Sequence, residues 1–137
     1  MKTTSRPTRR WWLAFVVSAF VCLGPVPQLV AADDTATVRL VIDYNDGVEK
    51  HFNAIAWKPG ITVMDAMLAA KQHPRGIRFE YKGKDATALL TKIDDLANEG
   101  RGRNWLYRVN GEPGDRSMGI FELKAGDTVL WKFDKYK

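Results

Sequence analysis

The sequence predicts a small α+β domain in which one short helix packs across one face of a mixed β-sheet. Two observations indicate this fold class. Stretches with strand-like alternation, or with dense branched and aromatic residues, lie near the beginning and at the end of the chain. A single helical pattern with a recognisable start lies between them. Strands followed by a helix and further strands are typical of a helix that rests on a sheet.

The first 32 residues are predicted to be a cleaved secretory signal peptide, outside the fold. Four basic residues precede the apolar run 11–23, which is shorter than the roughly 20 residues of a membrane span. Helix-breaking residues follow, and then small residues of the kind found at signal-peptide cleavage sites, so we expect cleavage after Ala32. An uncleaved anchor is the lesser alternative. The pair Arg9-Arg10 leaves the choice between Sec and twin-arginine export open.

Residues 33–137 are expected to form a single domain with nearly balanced charge. Removing the four basic leader residues from the chain's 21 leaves 17 Lys and Arg against 16 Asp and Glu. A net charge of +1 is poor support for nucleic-acid binding, which usually needs a strong basic patch. The only cysteine, Cys22, lies in the leader. The domain is therefore expected to depend on a packed core, without disulfides or thiol chemistry.

The first two strands are predicted as a hairpin. The stretch Thr37–Tyr44 alternates cleanly, and the turn 45–47 reads Asn-Asp-Gly, which tolerates the positive φ of hairpin turns. A second strand returns over Val48–Trp57. Its alternation fails, because Phe52 and Ile55 have opposite parity: one is an even-numbered and the other an odd-numbered position, so a regular strand would point them to opposite faces. This predicts a bulge or an early end of the strand. One face of the first strand carries Val38, Leu40, Ile42 and Tyr44.

The helix is predicted over residues 61–71. Thr62 is its expected N-cap, Asp65 completes a capping box, and Pro74 ends it. About ten residues are too few for a stable helix alone in water, so the helix must lie on the sheet. The expected apolar stripe consists of Val63, Met64, Met67, Leu68 and Ala70.

The second half of the chain contains four further strand candidates. The first, over 77–82, places Ile77, Phe79 and Tyr81 on one face. The second covers 87–93, with Leu89-Leu90 as the alternative start of a helical turn, and a polar loop is expected over 94–103. The last two strands are predicted over 105–109 and 128–133, with turns at Asn110-Gly111 and Ala125-Gly126-Asp127 and a loop over 114–117. Trp131 and Phe133 are expected to pack under the helix.

A helix across one face of a mixed sheet is the β-grasp arrangement, and four motifs in order carry a resemblance to a known family. They are TVMDAM at 62–67, LTKIDDL at 90–96, WLYRVNG at 105–111 and AGDTVLWKF at 125–133. Together they resemble the DUF4430 family, the transcobalamin C-terminal-like β-grasp domain. The resemblance extends over roughly residues 38–133.

This resemblance implies an extracytoplasmic β-grasp domain with a cobalamin-like molecule as a candidate ligand. In animal cobalamin carriers, a domain of this kind closes over the corrin from one side while a large helical barrel holds the other. This sequence has no stretch that resembles such a barrel. No cofactor follows from the residues themselves.

The candidate ligand-binding residues are Arg101, Arg103, Trp105, Tyr107 and Arg108. An exposed aromatic ring beside arginines can stack on a flat ligand and pair with carboxylate or phosphate groups. The alternative is that the two aromatic residues belong to the core face of a strand and that the arginines form a solvated rim. The sequence favours this alternative.

No catalytic or metal site is predicted. His51 and His73 lie at no metal-ligand spacing with another histidine or cysteine. The acidic residues of the 94–99 loop lack the spacing of a calcium loop, and Ser117 has no nucleophile-elbow pattern around it.

The expected function is therefore a secreted or periplasmic, non-catalytic module that binds a corrinoid-like or another flat small molecule. The alternative is a periplasmic or cell-surface module for protein interaction or structure, and an enzyme ranks last. The expected partner is accordingly a small-molecule ligand or an extracytoplasmic protein. No membrane association is expected after signal cleavage.

Overall fold

A computed structural model describes residues 35–137, so the predicted leader at 1–32 lies outside the described residues. The described chain contains eight strands, one α-helix and one 3₁₀ turn. The strands are β1 Thr37–Asp43, β2 Glu49–Ala56, β3 Phe79–Lys82, β4 Leu89–Ile93, β5 Leu96–Ala97, β6 Arg103–Val109, β7 Glu112–Pro113 and β8 Thr128–Lys135. The helix α1 is Val63–Gln72, and the 3₁₀ turn is Asp85–Thr87.

The strands form two sheets, one mixed and one antiparallel. The larger has the order β2-β1-β8-β6-β7, and the smaller has the order β3-β4-β5. The parallel pairing of β1 with β8 makes the larger sheet mixed, since its other pairs are antiparallel. The predicted α+β class is confirmed, and the separate three-stranded sheet is an addition to it.

The β1–β2 hairpin has the predicted core face and the predicted irregularity. All four side chains expected on the inner face of the first strand are buried. Val38 pairs with Ile55 and Leu40 pairs with Phe52, so the register shifts between them. This bulge lets Phe52 and Ile55 both reach the core despite their opposite parity.

The helix begins with the predicted capping box. The Asp65 N–H donates to Thr62 Oγ1 at 3.3 Å, and the Thr62 N–H donates to Asp65 Oδ2 at 2.9 Å. The predicted apolar stripe needs one correction, because Leu68 is exposed and Ala66 is buried in its place. The buried positions of α1 are Val63, Ala66, Met67 and Ala70, and the last three lie three, four and seven residues after the first, as one face of a helix requires.

The polar loop expected over 94–103 is wrong in part, because it contains β5. Asp94 takes a φ of +48°, a left-handed conformation that Asp tolerates, and the chain then turns back so that Leu96 pairs with Ile93. Leu89-Leu90 lies in a strand and does not begin a helical turn. A register shift after Glu80 interrupts the predicted face of β3 and leaves Tyr81 exposed.

Buried apolar side chains from both sheets and the helix meet in one core cluster. The helix contacts β1 and β2, whereas β4 contacts β6. Trp131 and Phe133 are buried, and their position under the helix stays a prediction. Their rings pack beside β6, with centroids 5.0 Å from Tyr107 and 5.2 Å from Trp105, respectively. The aromatic end of the core therefore lies at the β6–β8 pair.

Candidate functional site

A groove of about 390 Å³ lies along the outer edge of β6. Its walls come from β4, from the loop that follows β7, and from the last residues of the chain. Leu89 is 61% exposed, and Tyr136 is also exposed, so the groove presents apolar surface to solvent. Its apolar lining includes Leu89, Leu106, Tyr107, Met118, Trp131 and Tyr136.

The groove exists because no strand covers the middle of this edge within residues 35–137. The sheet neighbours of β6 are β8 on one side and β7 on the other. The two residues of β7 pair only with Arg108 and Val109. Sequence alone predicts the hairpin turn after β6 but not how short the returning strand is.

An asparagine side chain closes one end of the open edge. Asn98 Oδ1 accepts a hydrogen bond from the Trp105 N–H at 2.8 Å, and its Nδ2 donates to the Leu90 carbonyl at 2.7 Å. The Asn98 N–H also donates to the Thr91 carbonyl at 2.9 Å. One amide therefore substitutes for a strand neighbour and ties the small sheet to the large one.

The loop after β7 closes the other end and holds Tyr107. The Gly114 N–H donates to the Tyr107 carbonyl at 3.0 Å, and the Tyr107 hydroxyl donates to the Arg116 carbonyl. The tyrosine ring lies 5.9 Å from Phe121 and packs against Gly114, where a Cβ would overlap it. Burial, with a further contribution from Asp115, raises the pKa of Tyr107 to about 12.

Two buried tryptophans that also line the groove differ in their hydrogen bonds. Trp105 is 4% exposed, and its Nε1 donates to the Leu96 carbonyl at 2.8 Å. Trp131 is 3% exposed, and its buried Nε1 has no partner within the described residues. A buried donor without an acceptor costs about 1–3 kcal/mol. Trp131 is therefore an unusual feature of the groove lining.

The rim of the groove carries an excess of positive charge. Arg116 pairs with Asp115 at 2.8 Å, and Lys132 pairs with Asp43 at 3.2 Å. Arg108 donates to the Gly111 carbonyl at 3.2 Å. Five cationic residues and one carboxylate line the groove, namely Arg108, Arg116, Lys132, Lys135 and Lys137, with Asp134. This local imbalance contrasts with the near-neutral charge of residues 33–137 as a whole.

The structure places three of the five sequence-predicted residues in this lining and two outside it. Trp105, Tyr107 and Arg108 line the groove. Arg101 is exposed in the turn before β6. Arg103 pairs with Glu99 at 3.3 Å and lies over the Phe133 ring, 4.9 Å from its centroid.

Sequence reasoning missed the lining residues that come from elsewhere in the chain. Leu89 had a usable signal, because an apolar residue beside a core leucine in a strand must point away from the core. Arg116 and Tyr136 had none, since loop and terminal residues approach the groove only in the folded chain.

The described residues offer no competing metal centre. In residues 35–137, no group of three or more His, Cys, Asp or Glu side chains is arranged to hold an ion. His51 lies 2.8 Å from Glu49, and the His73 ring packs edge-on against Phe52 at 5.5 Å. In the same range, no helix is long and apolar enough to cross a membrane.

Two solved structures share this fold. One, from Ruminococcus gnavus, is described as a "putative metal binding protein"; it has a TM-score of 0.57 and 10% identity, over 74% of this chain and 99% of its own. The other is haptocorrin in complex with Cbi, with a TM-score of 0.63 and 17% identity over 74% of this chain. The match covers 25% of haptocorrin, so this chain corresponds to about a quarter of that protein.

The family comparison identifies the chain more directly. No curated protein matches this sequence. The model of the family described as "Domain of unknown function (DUF4430)" matches residues 60–135, which include α1 and the strands β3 to β8. Because that match extends over more than half of the sequence, the chain belongs to the DUF4430 family.

Proposed function

We propose that this protein is a secreted or periplasmic, non-catalytic module that binds a flat, partly anionic small molecule in the groove along β6. A corrinoid-like molecule is the first ligand class to test. The observation that carries the proposal is the groove itself, which combines exposed apolar surface with an excess of cationic side chains.

The groove composition suits a ligand with an apolar face and acidic groups. Leu89, Leu106 and Tyr136 provide apolar area of the kind that small-molecule sites use for affinity. Cationic side chains at the rim, such as Arg108 and Lys135, can pair with carboxylate or phosphate groups. The solved complex of haptocorrin with Cbi shares the fold and supports a corrinoid as the first probe.

A second candidate function is protein interaction through the free edge of β2. This strand borders the larger sheet, and no strand covers its outer side in the part of the chain that the structure describes. Open strand edges present unpaired backbone groups that can pair with an extended segment of a partner. The groove at β6 favours the first candidate, because it offers a concave site with convergent charges.

The proposal is tested by titrating the protein, purified after expression of the whole chain, with cobinamide, hydroxocobalamin and hemin. Tryptophan fluorescence and visible absorption are recorded together. We expect saturable binding of at least one of these flat molecules. We expect Leu89→Asp to weaken it about tenfold or more, because the bound molecule would lose an apolar contact and would bury the new carboxylate in its place.

Val48→Asp is the matched control for this variant. Val48 is an exposed apolar residue, 53% accessible, in the β1–β2 hairpin and outside the groove lining. Both substitutions are at exposed positions and are expected to change stability little. Equal binding by Leu89→Asp and the wild type, or no binding of any of the three molecules, would contradict the proposal.

A further inference from the structure

We infer that the ligand of this groove contains one acidic amino-acid residue, with an acyl group on its nitrogen and an amide on its carboxyl side, that pairs with the open edge of β6. The inference rests on the proposed function and narrows the class of ligand. The planar peptide unit supplies the flat part of the molecule, and the acidic side chain supplies its anionic group. The pairing groups are the Trp105 carbonyl and the Tyr107 N–H.

The hydrogen bonds around β6 show which backbone groups face the groove. The Trp105 N–H bonds to Asn98 and the Tyr107 carbonyl accepts from Gly114, so both residues direct their backbone groups away from β8. Backbone groups along a strand alternate between its two edges. The Trp105 carbonyl and the Tyr107 N–H therefore point out of the same edge, where the described residues provide no strand neighbour.

This pair of groups matches one residue in parallel-strand geometry. In a parallel ladder, a residue makes both of its hydrogen bonds with the two residues that flank its neighbour on the other strand. Its N–H donates to the carbonyl of the residue before that neighbour, and its carbonyl accepts from the N–H of the residue after that neighbour. Here the neighbour is Leu106, which lies between Trp105 and Tyr107. Asn98 and Gly114 occupy the edge on either side of these two groups. The open part of the edge between them, which we call the slot, therefore has the length of a single residue.

The charge of the side chain follows from the face on which it lies. A residue paired beside Leu106 points its side chain to the same face of the sheet as Leu106. Arg108 is its diagonal neighbour on that face. Lys132 of β8, which pairs with Leu106, lies one strand further away. A glutamate at this position would form an ion pair with the Arg108 guanidinium, which an apolar or basic side chain could not do.

The probes are three capped single residues of defined chemistry. N-acetyl-glutamate N′-methylamide carries both pairing groups and the carboxylate. Its N-methylated form, acetyl-N-methyl-glutamate N′-methylamide, lacks the N–H that meets the Trp105 carbonyl. Acetyl-glutamate dimethylamide lacks only the C-terminal N–H, which the parallel pairing does not use, and is the matched control.

The readout is the backbone amide spectrum of the purified protein labelled with ¹⁵N-tyrosine. The chain has four tyrosines, and Tyr107→Phe assigns the Tyr107 signal. We expect the parent probe and the dimethylamide to shift the Tyr107 N–H downfield and to slow its exchange, while the Tyr44 and Tyr81 signals stay in place. The N-methylated form should bind about fivefold more weakly or worse, because a hydrogen bond is lost.

A second comparison tests the side chain. Replacing the glutamate of the probe by glutamine should weaken binding several-fold in the wild type and by much less in Arg108→Gln. Equal binding of the parent and N-methylated probes, an unchanged Tyr107 signal, or no binding at all overturns the inference. If flat molecules still bind in a Leu89-dependent way in that event, the proposed function stands and only the ligand class is wrong.

Discussion

Asp94 connects the β1–β2 hairpin to the small sheet through one carboxylate. Its Oδ2 accepts from the Tyr44 hydroxyl and from Lys50 Nζ at 2.9 Å, and its Oδ1 accepts from the Arg78 N–H at 2.9 Å. Partial burial alone would raise the pKa of Asp94, but the hydrogen bonds from Arg78, Tyr44 and Lys50 outweigh it and lower the pKa below its ordinary value. The ionised carboxylate is therefore the form that the fold stabilises.

We predict that Asp94→Asn lowers the free energy of unfolding by about 2 kcal/mol at pH 7, since hydrogen bonds to a charged group are lost. A lowered pKa in the folded state contributes stability above the unfolded pKa of about 3.9 and loses it as the pH falls. The difference between wild type and variant should therefore shrink below about pH 4. Urea denaturation at several pH values measures both effects.

Asp95→Asn is the control for this prediction. The Asp95 side chain is 94% exposed and lies 3.7 Å from Arg78. An exposed ion pair contributes roughly 0–1 kcal/mol, so the variant should resemble the wild type at every pH. If Asp94→Asn also shows no pH-dependent difference, the carboxylate does not hold the two parts together as described.

Gly114 is the residue on which the position of the Tyr107 ring depends. A Cβ at this position would overlap the ring, which already packs against Trp131 and Phe121. We predict that Gly114→Ala costs about 1–3 kcal/mol, the usual range for overpacking. Thermal unfolding measures it.

A double-mutant cycle isolates the cause of that cost. In a Tyr107→Leu background the ring is gone, so adding the methyl group at residue 114 should cost almost nothing further. An equal cost in both backgrounds would mean that the alanine acts through the loop backbone and not through the ring.

At the scale of elements, the capping box makes α1 the most clearly marked segment of the chain. We predict that Thr62→Ala destabilises the domain by about 1 kcal/mol, because the Asp65 N–H loses its acceptor. Thr62→Ser keeps the hydroxyl and should lose much less. Chemical denaturation of the three proteins measures the difference, and equal losses in both variants would show that the cap contributes little.

Elements specified by neighbouring residues could be predicted from the sequence. The parity conflict of Phe52 and Ile55 indicated the bulge in β2, and Thr62 with Asp65 indicated the start of α1. These signals are local, because hydrogen bonds or side-chain periods within a few residues produce them. The predicted positions of these two elements are confirmed for that reason.

Elements that depend on distant partners could not be predicted in the same way. The two residues of β5 are a strand only because β4 lies beside them, and the stretch 94–103 around them reads as a polar loop. The open edge of β6 depends on Asn98 and on the loop after β7, which approach β6 through the fold. The candidate site is a product of these non-local contacts, and the sequence could supply only the part of it that lies on β6.

At the scale of the whole molecule, the two open edges of the larger sheet differ in what they offer. β2 is an eight-residue edge strand, whereas β6 is covered at both ends and exposes a short slot beside a groove. A long edge suits pairing with a protein strand, and a closed slot suits a small ligand. Cationic residues are concentrated at the β6 edge, and this is the reason to place the ligand there.

Native mass spectrometry of the protein, exported and purified after expression of the whole chain, tests the groove as the ligand site most directly. The wild type and Val48→Asp are expected to carry the same additional small-molecule mass, because both keep the groove lined by Leu89. Leu89→Asp is expected to lose that mass while remaining folded. A wild type that carries no additional mass, or a Leu89→Asp variant that carries as much as the wild type, would contradict the proposal that this groove binds the ligand.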